Sequence, residues 1–201
     1  RDRDEINGET FRSVYSGFNA SRFKEPVEEP DVYSLVLDET SSLLDSVLAD
    51  QPAQLANEDG IPSQVWRNVK SKLSDISTSE MHYVKVPEDH IVIDFDIKDE
   101  DGNKSLERNL AAASIFPPTY AELSQGGNGV HLHYNWTGTA EERAQLDPLY
   151  GDGVEVKVFR GNSSLRRRLS RCNHIEVAPL GPGYLPVRKK EKVLSEKTIQ
   201  S

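Results

Sequence analysis

The stretch Ile91-Val-Ile-Asp-Phe-Asp-Ile97 decides the fold. Ile93, Phe95 and Ile97 alternate with Asp94 and Asp96, so an extended chain would turn the apolar side chains to a core and both carboxylates to the opposite face. Two further segments repeat the pattern: Val130-His-Leu-His-Tyr134 and Gly153-Val-Glu-Val-Lys-Val158. If the three strands lie side by side, Asp94, Asp96, His131, His133, Glu155 and Lys157 gather on one patch. Carboxylates, imidazoles and an ammonium together suit divalent cations meeting a polyphosphate.

Outward from these strands the periodicity changes. Val65, Trp66, Val69, Leu73 and Ile76 recur at three and four residues after Ser63, which predicts an amphipathic helix. The apolar residues from Val32 to Leu48 predict one or two more helices. Tyr83 to Val86 reads as a strand, and Lys104 to Ser114 as a helix stopping before Pro117-Pro118. Tyr120–Ser124 and Val130–Trp136 flank Gln125-Gly-Gly-Asn-Gly129, a hairpin turn whose glycines supply positive φ. A short helix follows from Thr139 to Leu146, and Asn162-Ser-Ser164 offers a hydroxyl-capped start for a basic helix carrying Arg166, Arg167, Arg168 and Arg171. The expected class is α+β: a mainly antiparallel sheet with helices. Residues 1–80 are expected to form a mostly helical N-terminal extension, 81–187 the core, and 188–201 a charged tail.

Composition narrows the function. The net charge of -9 opposes nucleic-acid binding by the chain as a whole, yet 160–190 holds eight basic residues against one acidic, about +7 there and so about -16 elsewhere. A single cysteine, Cys172, excludes an internal disulfide and suits a reducing compartment. There is no signal-like start and no apolar run near the roughly 18 residues of a membrane span, so a soluble, cytoplasmic protein without membrane contact is expected. The start at Arg1 suggests a module of a longer polypeptide.

Residues two apart on a strand lie about 6.6 Å apart on one face, so Asp94 and Asp96 repel unless a cation sits between them. Mg²⁺ takes one or two carboxylates, water and phosphate oxygens, and Glu155 offers a third acid with Lys157 and Arg160 beside it. His131 and His133 have the spacing of a zinc pair, while His131, just after the glycine-rich turn, is equally placed to hydrogen-bond a phosphate. On a helix Arg167 and Arg171 would share one face and grip backbone phosphates, or simply form a solvated face.

On these residues the chain resembles the archaeo-eukaryotic primase superfamily, in particular the primase-polymerase domains of phages and mobile elements. Asp94 and Asp96 match the strand with Asp-x-Asp, Glu122-Leu-Ser-Gln-Gly-Gly-Asn-Gly-Val-His131 matches the turn running into a histidine, and Glu155 matches the later acid. The resemblance covers about Ile91 to Arg171. It implies an RRM-like catalytic sheet and two Mg²⁺ or Mn²⁺ ions held by Asp94, Asp96 and Glu155. The nucleoside triphosphate would be held by His131, Lys157, Arg160, Gly127 and Gly129, and DNA template and primer tracked by Arg166, Arg167 and Arg171. Such a module synthesises or extends primers on DNA and often accompanies a helicase domain. Two rival readings stand beside it: a metal-dependent nuclease or phosphoesterase using the same acids, and a non-catalytic nucleic-acid-binding module.

Overall fold

The computed structural model describes residues 34–188. The polar segment expected over the first 30 residues and nearly all of the charged tail lie outside these residues. In chain order the elements are α1 (Leu43–Val47), β1 (Ala53–Leu55), two 3-10 turns (Trp66–Asn68 and Leu73–Asp75), β2 (His82–Val84) and β3 (His90–Phe95). Then follow α2 (Leu106–Ala113), β4 (Ala121–Leu123), β5 (Val130–Trp136), α3 (Ala140–Ala144), β6 (Leu149–Gly151), β7 (Val154–Val158), β8 (Leu165–Arg167) and β9 (Ala178–Leu180). The fold is mainly antiparallel sheet with few helices.

β3 is buried along its whole length because it lies at the centre of the larger sheet, in the order β4-β5-β3-β7-β6, with β9 pairing parallel to β5. Alternation then sorts its side chains. Ile91, Ile93 and Phe95 pack with Val130, Leu132, Tyr134, Val154 and Val156 in one core, each large side chain contributing about 1.5–3 kcal/mol on burial. Val92 points the other way, into a second core with Leu44, Leu48, Ala53, Leu73, Val84, Tyr120 and Leu165. That second core lies between the larger sheet and a smaller one, β1-β2-β8.

Three expectations need correction. The stripe over Val65–Ile76 is two 3-10 turns rather than an amphipathic helix, because the backbone at its end pairs elsewhere: Ala53 N donates to Ser71 O and Leu73 N to Gln51 O, both at 3.0 Å. The basic segment after Asn162 is the strand β8, antiparallel to β2, not a helix. Of the extension expected over 1–80, the described part from residue 34 contains one five-residue helix and the two 3-10 turns, and β1 ties it to the core by pairing with β2. The helix expected from Lys104 and the hairpin around 125–129 form as α2 and β4–β5, with Ser105 capping α2 by accepting from Arg108 N. Among the described residues no helix is long and apolar enough to cross a membrane.

Candidate active site

The register brings the three anticipated strands together. Across β3, Asp94 faces His131 on β5 and Glu155 on β7, while Val92 faces His133 and Lys157. Asp96, one residue beyond the strand, extends the pairing through its N–H to Gly153 O at 2.6 Å. Asp94, His131, His133, Glu155 and Lys157 therefore lie on the face opposite the first core.

The acids are held by cations from both sides. Lys157 Nζ donates to Asp94 Oδ2 at 2.5 Å, and Lys104 Nζ to Asp96 Oδ1 at 2.7 Å. His131 Nε2 lies 3.1 Å from Asp94 Oδ1, in contact but without the alignment of a hydrogen bond. Burial disfavours the charge on Asp94; His131 and Lys157 outweigh it and hold the carboxyl well below the usual range. Glu155 is exposed. Although the three acids share a face, their oxygens are not drawn into one chelating group.

A cleft of about 250 Å³ opens beside them, with Asp96, His131, Lys104, Lys157, Arg166 and Arg168 in its walls. Lys104 escaped the sequence reading because it reads as an ordinary polar residue before a helix. Gly127 makes the β4–β5 turn at φ 80°. Gly129 is a matter of space: a Cβ there would lie 2.6 Å from both Asp96 Oδ1 and Ser124 Oγ. Both glycines shape the cleft from behind and are not among its lining residues.

The remaining anticipated residues disperse. Arg160 is exposed in the turn after β7, its N–H donating to Ser163 Oγ at 2.7 Å, and does not line the cleft. Arg171 is exposed and donates to Asp38 O. Arg167 is the clear correction: at 2% exposure it cannot track a nucleic-acid backbone. Alternation along β8 turns it inward, where its Nε donates to both oxygens of Glu122 at 2.9 Å, while its other nitrogens reach Asp45, Ser42 and Tyr120. Burial opposes the Glu122 charge, but Arg167 first and then His133 and His131 pull its carboxyl below the usual range.

In the sequence Glu122 stands only at the start of the Glu122–His131 motif, with nothing local to mark its burial. Beside it, the Oε2 atom also accepts from Tyr120 Oη at 2.7 Å. His133 shares a 3.0 Å hydrogen bond from its Nδ1 to His90 Nε2, and its own Nε2, fully buried and without a hydrogen-bond partner, lies 3.5 Å from Glu122 Oε1. Burial, then the neighbouring His133 ring, pushes His90 down to about 3, and burial likewise lowers His133, so burial favours the neutral form of both rings.

Glu122, His131 and His133 each present a ligand atom within 4.8 Å of the others, so this group could hold a metal ion. Arg167 already neutralises its carboxylate and competes with any cation there. Among the described residues Asp94, Asp96 and Glu155 do not form such a group. Their all-oxygen chemistry nevertheless fits Mg²⁺ or Mn²⁺, and the buried Asp94 Oδ1 has no hydrogen-bond donor. Compared with known proteins, the chain matches no family model and no curated sequence.

Proposed function

We propose that this chain is the nucleotidyltransferase module of a primase-polymerase, acting on a DNA template with nucleoside triphosphates. The observation that carries this reading is the register that sets Asp94 between His131 and Glu155, beside a cleft walled by Lys104, Lys157, Arg166 and Arg168. Basic side chains in the wall of a small cleft provide counter-charge for a triphosphate. The larger antiparallel sheet is compatible with an RRM-like catalytic sheet.

Asp94, Asp96 and Glu155 would hold two Mg²⁺ or Mn²⁺ ions. Bound there, the ions would supply charge neutralisation at the phosphates and acidify the attacking hydroxyl. Lys157 holds Asp94, and His131, beside it, faces the cleft, where it would steady phosphate oxygens. Lys157 and Lys104, which pair with the two aspartates, line the same cleft and would be free to pair with phosphate oxygens if metal ions occupied the carboxylates.

Primer extension on a DNA template with Mn²⁺ or Mg²⁺ tests this. Incorporation by the native chain and its loss in Asp96→Ala are expected; no incorporation with either metal, or unchanged incorporation in the variant, overturns the assignment. The group Glu122, His131, His133 favours a second reading, a metal-dependent hydrolase. Shortening of labelled DNA with metal and no nucleotides would select it.

A further inference from the structure

Residues 57–68 form a strap pinned across the outer face of the smaller sheet. Tyr83 Oη donates to Gly60 O at 2.6 Å, Gln54 exchanges two hydrogen bonds with the backbone of Gln64, and Ser63 Oγ donates to Leu55 O. A loop fastened at so many points is rigid, yet it turns Ile61 and Val65 outward at 55% exposure each. Trp66 follows, half-buried, with Lys85 Nζ 4.8 Å from its ring centroid. That ammonium is itself fixed by Gly161 O and Ser163 O at 2.8 and 2.9 Å.

The charge changes along the strap: Glu58 and Asp59 stand at its start, whereas from Gly60 to Ser74 there is no acidic residue and Arg67, Lys70 and Lys72 are basic, Lys72 being paired with Asp50 at 3.0 Å. Arg67 and Lys70 are exposed. The strap also adjoins the cleft: Arg166, which lines it, lies 3.5 Å from where a Cβ on Gly60 would sit.

We propose that this strap is a docking ledge for single-stranded DNA, with Trp66 stacking on a base and Arg67, Lys70 and Arg166 following the phosphates toward the cleft. An indole backed by a fixed cation, apolar side chains beside it and the exposed Arg67 and Lys70, past the acids at the start of the strap, together match the chemistry of unpaired nucleotides, which offer π-faces and a polyanionic backbone. The proposal rests on the templated-transfer reading above, for which it supplies the path of the unpaired strand.

The chain has two tryptophans, and Trp136 is buried in the core, so quenching of intrinsic fluorescence reports on Trp66. Titration with unlabelled (dT)20 should quench it, with affinity falling as salt rises. By anisotropy of labelled (dT)20, Trp66→Ala should bind about fivefold or more weakly, and Arg67→Glu/Lys70→Glu should bind more weakly with a shallower salt dependence. Melting curves matching the native chain establish that both variants fold. Absence of (dT)20 binding by the native chain, or unchanged affinity in both folded variants, overturns the ledge. Primer extension is scored separately: binding that depends on Trp66 without incorporation counts against the transferase reading alone, and incorporation with Trp66-independent binding counts against the ledge alone.

Discussion

Arg167 Nε lies 2.9 Å from both carboxylate oxygens of Glu122, and neither residue is more than 2% exposed. The pair spans β8 and β4, one strand from each sheet, so it fastens the two sheets across their shared interior. Removing one partner strands the other charge away from water. Glu122→Ala is expected to destabilise by about 3–5 kcal/mol, and Glu122→Leu with Arg167→Met by clearly less than the two single changes summed. Urea unfolding of the native chain, Glu122→Ala, the two single variants Glu122→Leu and Arg167→Met, and their double variant measures this; additive losses would show that the pair is not coupled.

Gly129→Ala brings a methyl group to 2.6 Å from Asp96 Oδ1 and Ser124 Oγ and 3.0 Å from Phe95 O. Asp96 must then move, so nucleotide incorporation is expected to fall at least tenfold. Gly127→Ala meets no atom but must hold φ near 80°, costing about 1 kcal/mol with a smaller effect on activity. Parallel melting and extension assays separate the two; equal activity losses would contradict the packing argument.

Stability should fall on acidification. His90 has its proton affinity lowered from 6.5 to about 3, and His133 and His82 are lowered by burial too. Between pH 6.5 and 3 the unfolded chain therefore binds protons that the folded chain refuses, and stability present above pH 6.5 is progressively lost. Asp94 and Glu122, both held below the usual carboxylate range, add losses of the same sign as pH drops through 4 and lower. A melting temperature that declines steadily from pH 7 to 4 is expected, and a flat profile would count against the neutral histidine pair.

Lys104 and Asp96 form an ion pair with both side chains well exposed, at 43% and 38%. Such a pair contributes less than about 1 kcal/mol. Lys104→Ala should leave the unfolding midpoint nearly unchanged while raising the KM for nucleoside triphosphate severalfold. Steady-state extension kinetics decide it; an unchanged KM removes Lys104 from the phosphate site.

Where alternation was pure, the sequence was easy to read. Ile91 to Ile97, Val130 to Tyr134 and Val154 to Val158 keep apolar side chains on one face, and they became β3, β5 and β7 with Asp94 opposite His131 and Glu155. β8 was hidden because its inward positions are Leu165 and Arg167: a charge occupies a core site, and the partners that make it tolerable, Glu122 above all with Asp45, Ser42 and Tyr120, lie 45 or more residues earlier. The stripe at Val65, Trp66, Val69 and Leu73 misled in the opposite sense, since helical spacing cannot reveal that Gln51 and Ala53 will claim the backbone of Ser71 and Leu73. The buried cluster of Glu122, His133 and His90 was partly visible: His133 belongs to the alternating strand, but its partners come from β3 and β4, and pairing between strands leaves no local signature.

The smaller sheet is assembled from residues 53–55, 82–84 and 165–167. On a ribosome, residues 53–55 and 82–84 emerge well before the strand 165–167 that completes their sheet, and until then the Glu122 carboxylate lacks the Arg167 guanidinium. Translation products ending ahead of residue 165 should therefore be prey for proteases, and maturation of the cleft should come as one late, concerted event.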